Sequence, residues 1–225
     1  MQLLPLLLSV LLIPTEGNVQ VIPITHGSVV LQWEGKVIHV DPWSQGDYDG
    51  VPQADLILVT DIHGDHMDPD QISKVRKANT VIIAPAAVQK TVTQARVLGN
   101  GESVEILGAR IEAIPMYNLK RGPEEGKLYH DKGRGNGYIV KLGDQRFYFS
   151  GDTECIPEMK ALKDIDVAFV SMNLPYTMTP EEAAGCVNAF APKVVYPYHY
   201  RGSDMDVFKN SVTAGGVEVK LLDWY

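Results

Sequence analysis

Four side chains of the kind that bind metal ions lie within six residues of this chain. They are Asp61, His63, Asp65 and His66. They follow directly after the apolar run ADLILVT at residues 54–60, which predicts a buried strand. Imidazole nitrogen and carboxylate oxygen bind zinc and its first-row neighbours, and a loop after a rigid strand can aim several side chains at one point. We therefore predict a metal site at this loop rather than a solvated acidic turn.

Three further candidate residues stand where other predicted strands end. Asp41 ends the run KVIHVD, Asp152 follows the run QRFYFS, and His199 ends the run KVVYPYH. Loops that follow strand ends commonly carry functional groups on a rigid scaffold. We expect these side chains to join the loop at residues 61–66 on one rim of the molecule.

The predicted elements occur in the same order twice, with strands in hairpins first and alternating strands and helices afterwards. The predicted strands span residues 19–25, 28–33, 36–41, 54–60, 80–85, 102–107, 110–116, 137–142, 145–150, 166–172, 193–199 and 217–222. Helices are predicted from residue 69 onward and over residues 86–94, 156–163, 180–190 and 204–212. Such an order predicts an α/β fold in which two mixed sheets pack face to face with helices outside.

Two of the helix starts carry N-terminal capping signals. Asp68 precedes Pro69 and is the predicted N-cap of the first helix. Thr179 precedes Pro180, and Glu182 stands three residues after Thr179, which together predict a capping box.

The loop at residues 61–66 and the other strand ends also carry a family resemblance. DIHGDHMDP resembles the HxHxDH motif of the metallo-β-lactamase fold superfamily. GDT at residues 151–153 resembles the segment that supplies the metal-bridging Asp in that superfamily, and PYHY at 197–200 resembles its C-terminal ligand-histidine segment. VDPW at residues 40–43 resembles its early Asp-containing turn. With TMTPEEAA at residues 177–184, the set is similar to the Zn-dependent hydrolase branch that includes ascorbate-6-phosphate lactonase. The resemblance implies one αβ/βα four-layer sandwich over residues 18–225.

The resemblance also implies a set of metal ligands. These are Asp61, His63, Asp65, His66, Asp152 and His199. A carboxylate can bind one metal through each oxygen, so Asp152 is the expected bridge between two ions. Asp41 is expected outside the ligand set, where it would orient a ligand histidine by accepting its other N–H. Its alternative role is that of a turn-forming residue before Pro42.

Two departures from the motif affect one half of the expected two-metal site. Asp61 stands in place of the first histidine, and Met116, Tyr117 and Asn118 occupy the segment where many members place a third ligand histidine. His130 is therefore a candidate for the missing ligand or for substrate contact, with a solvated loop histidine as the alternative.

Several other residues have weaker claims to the site. His26 and Asn118 are further candidates for an extra ligand or a substrate contact, whereas His39 is expected to be packed in a strand or on the surface. The side chains that would meet an anionic substrate or shape the pocket are Lys132, Arg134, Tyr176 and Arg201. For each of these four, a solvated surface position is the competing interpretation.

The expected chemistry is hydrolysis by metal-activated hydroxide. The bond is ester-like: a lactone, an amide or a phosphodiester. Catalytic roles are predicted for Asp65, which can accept the proton of the attacking water, and for Asp61. One or two zinc ions are expected, although Asp61 makes the site harder and favours Mn or Fe more than an all-histidine site would. The alternative from another class is a metal-binding sensor or interaction module without turnover.

Composition limits the partners. The chain has 225 residues, a formal net charge of −8 and no basic cluster, so a small-molecule substrate is expected and nucleic acid is not. The oligomeric state is left open.

The first residues, MQLLPLLLSVLLIP, form an apolar run too short to span a bilayer, so stable membrane insertion is not expected. We interpret residues 1–17 as a signal peptide, which predicts a periplasmic or secreted protein. No Lys or Arg precedes the run and no small-x-small cleavage site follows it, so a buried N-terminal segment and a cytoplasmic location remain the alternative. For Cys155 and Cys186, two buried thiols are favoured over a disulfide.

Overall fold

The computed structural model describes residues 13–14 and 18–225 of the chain. Within this part, the strands form two seven-stranded sheets. The first sheet contains β1 (Ile13–Pro14), β2 (Gln20–Thr25), β3 (Ser28–Trp33), β4 (Lys36–Val40), β5 (Ala54–Leu58), β6 (Arg76–Ala84) and β7 (Arg96–Val97). The second sheet contains β8 (Ser103–Ile106), β9 (Ala109–Met116), β10 (Gly135–Leu142), β11 (Gln145–Phe149), β12 (Val167–Ser171), β13 (Val194–Tyr198) and β14 (Glu218–Val219).

Both sheets have the same topology. In the first sheet β1 to β4 pair antiparallel, and β4 to β7 pair parallel. In the second sheet β8 to β11 pair antiparallel, and β11 to β14 pair parallel. The carboxyl ends of parallel strands meet at one edge of a sheet, so β4 and β5 end beside each other, as do β11, β12 and β13.

Helices cover the outer face of each sheet, which confirms the four-layer sandwich. They are α1 (Pro69–Val75), α2 (Ala86–Gln89), α3 (Pro157–Lys160), α4 (Pro180–Phe190) and α5 (Met205–Ser211). Residues of α1 and α2 pack on β5 and β6, and residues of α3, α4 and α5 pack on β11, β12 and β13.

The largest apolar cluster lies between the two sheets. Leu31 of β3 and Leu56 of β5 share this cluster with Phe149 and Phe169 of the second sheet. The Phe149 and Phe169 rings stack with their centroids 4.7 Å apart. Strands β5 and β12 are apolar along nearly their whole length because both of their faces are covered. This core fixes the position of one sheet relative to the other.

Most predicted elements are present, with shifted ends. Asp68 caps α1 by accepting from the Gln71 N–H, and the capping box of Thr179 and Glu182 is formed at the start of α4. The predicted helix at 86–94 is only the short α2, and the predicted strand at 217–222 is only the two-residue β14. Neither short segment has a repeating apolar pattern long enough to sustain the predicted length.

The cysteine prediction was wrong. Cys155 and Cys186 form a disulfide, with Cα atoms 5.5 Å apart, that joins the segment after β11 to α4. The two cysteines are 31 residues apart in the chain, and no local pattern in the sequence indicates the pairing.

Of the predicted signal peptide, residues 1–12 and 15–17 lie outside the described residues, so that interpretation stays a prediction. Among the helices in the described part of the chain, none is long and apolar enough to cross a membrane.

Candidate metal centre

The candidate residues of both sheets meet where the parallel strands end. The first sheet contributes Asp41 after β4, residues 61–66 after β5, and His26 in the turn between β2 and β3. The second sheet contributes Asp152 after β11, His199 after β13, and His130 from the long loop between β9 and β10. All these side chains except those of His63 and Asp65 are almost fully buried. The centre therefore lies at the junction of the two sheets.

The backbone is unusual at three of these positions. His26, Asp41 and His199 have φ angles of 52°, 45° and 48°, in the left-handed region that side chains other than glycine seldom adopt. Gly27 lies so close that an added Cβ would be 3.3 Å from His199 and 3.5 Å from His66. A side chain at residue 27 would therefore press against the His199 imidazole and contact that of His66.

His66 is oriented from behind by Asp41. The His66 Nδ1 donates to the Asp41 Oδ2 over 2.8 Å, and the N–H and hydroxyl of Thr60 donate to the two oxygens of the same carboxylate over 2.7 and 2.6 Å. This bond fixes Nδ1 as the donor to Asp41, so that Nε2 is the atom that faces the centre. Asp41 is thus placed as expected for a residue that orients a ligand.

The first group of possible ligands surrounds the His66 Nε2. The nearest Asp152 oxygen is 3.4 Å away, and an Asp65 oxygen is 3.9 Å away. The His199 Nε2 lies 3.4 Å from the other Asp152 oxygen and 3.3 Å from the Asp65 Oδ2. Ligand atoms about 2.0–2.2 Å from one zinc ion are separated from each other by distances of this size.

The second group contains Asp61 and His63, which belong to the half-site that departs from the motif, together with His130. Asp61, His63 and His130 each direct one ligand atom to a common point. The His63 Nδ1 lies 2.8 Å from the Asp61 Oδ2, and the His130 Nε2 lies 3.9 Å from that oxygen. His130 is also 3.4 Å from the Asp152 Oδ2, the oxygen that faces His66. Asp152 therefore belongs to both groups.

The donor set fits divalent metal ions. The His66 Nε2, the His130 Nε2 and the Asp152 Oδ1 are buried, and none has a hydrogen-bond partner. Buried polar atoms without a partner are costly, and three of them at one point match the ligand atoms of a metal site. The residues present could therefore hold two ions, one in each group, with Asp152 between them.

Asn118 positions His130. Its Oδ1 accepts from both the backbone N–H and the Nδ1 of His130, over 2.8 and 2.6 Å, so the Nε2 of that imidazole faces the centre. The Asn118 Nδ2 donates to the Tyr176 carbonyl over 2.8 Å. Both ends of the Asn118 amide are engaged in this way, which favours a supporting role for Asn118 over the predicted extra ligand or substrate contact. His130 is 1% exposed, which excludes a solvated loop histidine.

Arg134 binds the buried Asp61. Its Nε and one terminal nitrogen donate to the two Asp61 oxygens over 3.0 and 2.9 Å, in a bidentate ion pair. Burial raises the pKa of Asp61, but the hydrogen bond from His63 and the nearby positive charges outweigh burial and hold that pKa below its ordinary value. Arg134 therefore compensates the extra negative charge introduced at position 61.

His26 contacts Asp65 and is held by Tyr225. The Tyr225 hydroxyl accepts the backbone N–H groups of Tyr200 and Arg201, both over 3.1 Å, and lies 2.7 Å from the His26 Nδ1. With both lone pairs used, the hydroxyl donates to Nδ1, and the His26 Nε2–H is left to donate to the Asp65 Oδ2 over 3.2 Å. His26 is therefore a hydrogen-bond donor to Asp65 in this arrangement. Its imidazole, Asp65 and His199 also form a group whose ligand atoms all lie within 4.8 Å of one another.

A family model described as the beta-lactamase superfamily domain matches residues 20–199. The chain belongs to this superfamily. A UPF0173 metal-dependent hydrolase of Thermus thermophilus is 30% identical over 208 residues, covering 85% of this chain and 90% of the relative.

Two solved structures have a similar fold. A protein of Parabacteroides distasonis described as a candidate metal-dependent hydrolase is 43% identical, with a TM-score of 0.85 and coverage of 90% of this chain and 92% of its own. A metallo hydrolase of Ignicoccus hospitalis shares the fold at 23% identity, with a TM-score of 0.77 and coverage of 92% and 95%.

Asp152 and Asp65 are ionised at neutral pH. Burial raises the pKa of Asp152, but the charges of His199 and His66 outweigh it and hold the pKa well below its ordinary value. For Asp65, burial is likewise outweighed by the His66 charge and by hydrogen bonds from His199 and His26, so its pKa is also lowered. Ionised carboxylates are the form that binds metal or accepts a proton.

Of the three cationic candidates, only Arg134 lies in the centre, where it binds Asp61. Lys132 is 2.6 Å from Glu158 and lies over the Tyr117 ring, and Arg201 lies over the Tyr225 ring. Tyr176 does line the cavity above the centre. His39 is packed in β4, where its Nε2 donates to the Pro52 carbonyl and burial lowers its pKa to about 4.

Sequence reasoning missed three contributors to the centre: Thr60, the Asp61–Arg134 ion pair and Tyr225. Thr60 gave a weak signal, since it directly precedes Asp61 at the end of the apolar run. Arg134 lies 73 residues after Asp61, and Tyr225 lies 199 residues after His26, in segments without a recognisable motif.

Proposed function

We propose that this superfamily member is a hydrolase that uses two divalent metal ions to cleave an ester-like bond. The observation that carries the proposal is the pair of ligand groups that share Asp152. The names of the relatives, metal-dependent hydrolases, support the same reaction class. Zinc is the proposed metal because the centre has several imidazole ligands. Mn or Fe is the alternative because the oxygens of Asp61, Asp65 and Asp152 make the donor set harder than an all-histidine site.

The two ions would be held by separate sets of side chains. His66, His199, Asp65 and Asp152 would hold one, and Asp61, His63, His130 and Asp152 would hold the other. When bound, a divalent metal lowers the pKa of water to ~7 and polarises a carbonyl or phosphoryl oxygen.

Asp65 is the proposed general base. It is the most accessible carboxylate of the centre, with a side chain 30% exposed against 0% for Asp61 and 5% for Asp152. Its Oδ2 is fixed between the Nε2 atoms of His26 and His199, at 3.2 and 3.3 Å. An ionised carboxylate in this position can take a proton from water and return it to the leaving oxygen. Both Asp61 oxygens accept from Arg134, so the proposal gives Asp61 a ligand role rather than a base role.

We also propose that the protein is exported. The Cys155–Cys186 disulfide supports this location, because disulfides persist in oxidising compartments and are rare in the cytosol. Fractionation of the producing cells tests it: recovery of the protein only from the cytosol, with two titratable thiols, would contradict export.

The function is tested by elemental analysis of the purified protein together with a panel of esters, lactones, amides and phosphodiesters. We expect about two metal ions per chain and turnover of at least one class. His66→Ala and Asp152→Ala should lose both metal and turnover. The matched control is His39→Gln, which removes the one histidine placed outside the centre.

Two results would reject the proposal. Full activity in the His66→Ala protein would show that hydrolysis does not depend on the centre. A metal content of one or none, with no turnover across the panel, would instead support the non-catalytic binding module.

A further inference from the structure

A cavity of about 320 Å³ opens above the metal centre. Its floor consists of residues already assigned to the centre: His63, Asp65, His130, Asp152 and His199. Its walls are Tyr129, Asn173 and Tyr176. When the reacting bond of a substrate reaches the centre, the neighbouring part of the substrate therefore contacts these three side chains.

Two tyrosines make one wall aromatic. The rings of Tyr129 and Tyr176 meet edge to face, with centroids 5.0 Å apart and planes at 69°. Tyr176 is 44% exposed, so part of its ring is available to a ligand. The same Asn118 amide that orients His130 also binds the Tyr176 carbonyl, so the wall and a proposed metal ligand share one support. Aromatic rings held in this way offer apolar surface at small entropic cost.

The cavity offers no cationic side chain to a charged substrate. Among the described residues that line it, none is Lys or Arg, and two are aspartates. The nearest cations along the chain are already paired: Arg134 with Asp61, Lys132 with Glu158. Sites that select phosphate or carboxylate groups place Arg or Lys forks against them.

On this basis we propose that the substrate is an uncharged carboxylic ester or lactone with an apolar, preferably aromatic, group beside the reacting carbonyl. The inference rests on the proposed hydrolase function and selects carboxylic esters and lactones from its substrate range, because beyond the metal ions the described residues of the cavity lining include no Lys or Arg to bind a charged group. The oxygen of one water molecule bonds to the acyl carbon, the acyl C–O bond breaks, and a water proton moves through Asp65 to the leaving oxygen. The products are a carboxylic acid and an alcohol. Tyr129 and Tyr176 determine specificity by packing on the apolar group.

The test compares substrates that share one leaving group. Metal-loaded protein is assayed with p-nitrophenyl butyrate, mono-p-nitrophenyl succinate, p-nitrophenyl phenylacetate and bis-p-nitrophenyl phosphate. Butyrate and succinate differ mainly by a terminal carboxylate, so the pair isolates charge. We expect kcat/KM to be at least tenfold higher for each neutral ester than for the succinate. The phosphate, which is intrinsically less reactive, serves to detect phosphodiesterase activity.

Variants of the wall test the aromatic contact. Tyr176→Ala should raise KM for the phenylacetate by about tenfold and change kcat by less than twofold, whereas Tyr176→Phe should retain the original KM. The variants should keep their metal content, since Tyr176 is bound to the centre only through its carbonyl.

The outcomes separate this inference from the proposed function. Preferential hydrolysis of the succinate or the phosphate would overturn the substrate class and leave the hydrolase intact. An unchanged KM in Tyr176→Ala would also overturn it. Failure to hydrolyse any of the three carboxylic esters, in protein that holds two metal ions and is active on another class of the wider panel, would overturn the inference alone. Failure on the whole panel of esters, lactones, amides and phosphodiesters would overturn the proposed function.

Discussion

At the scale of single residues, Asn118 lies in the segment where the resemblance implies a third ligand histidine. Instead of a ligand, it provides an amide that orients the candidate ligand His130. Its Oδ1 accepts from the His130 Nδ1, and this bond presents the His130 Nε2 to the centre. His130 lies 12 positions after Asn118 in the chain. The half-site that looked incomplete in sequence thus has a third side chain in place.

Replacing Asn118 should therefore empty one half-site. In Asn118→Ala, His130 loses its orienting bond, and we expect bound metal to fall from about two ions toward one and hydrolysis to fall about 10–100-fold. Asn118→Asp, which keeps an acceptor for the His130 Nδ1, should retain most of both. Elemental analysis and kcat/KM are measured on all three proteins. Two ions in the alanine variant would mean that His130 is not held by this contact.

Tyr225 acts on Asp65 through His26, so its removal should affect turnover rather than binding. Burial lowers the pKa of His26 against the opposing hydrogen bond to Asp65, so the imidazole is neutral at neutral pH, as the contact with the Tyr225 hydroxyl also requires. In Tyr225→Phe we expect kcat to fall about tenfold, with KM and metal content unchanged. The ¹⁵N chemical shifts of His26 should show a loss of the Nε2–H tautomer.

The matched control is Tyr200→Phe, which removes a hydroxyl bound to the Leu222 carbonyl and leaves His26 untouched. It should keep the wild-type kcat and the Nε2–H tautomer. Equal losses in the two variants would show that Tyr225 has only a structural role.

At the scale of elements, the start of α4 is tied to the loop that carries His130. Glu182 completes the capping box with Thr179 and also accepts from Lys120 and Arg121. Arg121 in turn bonds to Glu154, whose side chain accepts three backbone N–H groups of residues 119–121. One carboxylate therefore stabilises a helix start and the approach to the metal centre together.

The charge of Glu182 should make stability depend on acidic pH. Burial raises its pKa, but the Thr179 N–H, Lys120 and Arg121 outweigh burial and lower the pKa from 4.5 to about 2. A lowered pKa contributes stability above pH 4.5 that is lost as the pH falls toward 2. Glu182→Gln keeps the cap and removes the charge. It should lower the free energy of unfolding by about 1 kcal/mol at pH 7, and the difference from wild type should shrink toward pH 3.

Urea denaturation at pH 7, 4 and 3 measures this difference. Glu181→Gln is the control, because Glu181 is the exposed neighbour of Glu182 in the same helical turn. A deficit in Glu182→Gln that stays constant over this pH range would assign the effect to the hydrogen bond rather than to the charge.

The positions of the candidate ligands at strand ends were predictable for a physical reason. Asp41, His66, Asp152 and His199 each follow an apolar or β-branched run, and the carboxyl ends of neighbouring parallel strands share an edge. The remaining contributors come from irregular segments, where no repeating pattern limits the conformation. His130 was a candidate because few histidines remained, but its support by Asn118 depends on how a loop of about twenty residues folds back.

At the scale of the whole molecule, the centre joins the two sheets. His66 comes from the first sheet, His199 and His130 come from the second, and Asp152 contacts all three. The ionised Asp65 and Asp152 lie between the two sheets. So does Asp61, which is paired with Arg134. Bound metal ions would offset the mutual repulsion of these carboxylates and act as a cross-link between the sheets.

Metal removal should therefore destabilise the fold and not only stop turnover. For a metal at about 1,000 times its Kd, binding to the folded state adds about 4 kcal/mol to stability, which corresponds to a shift in Tm of about 10 °C for a domain of this size. We expect the Tm to fall by about this amount in EDTA and to recover when zinc is restored. His66→Ala should have lost most of the metal-dependent shift, whereas His39→Gln should show all of it. A Tm that is the same with and without metal in the wild-type protein would mean that the two sheets hold these carboxylates together unaided. The ion pair of Arg134 with Asp61 would then be sufficient compensation for the charge of the centre.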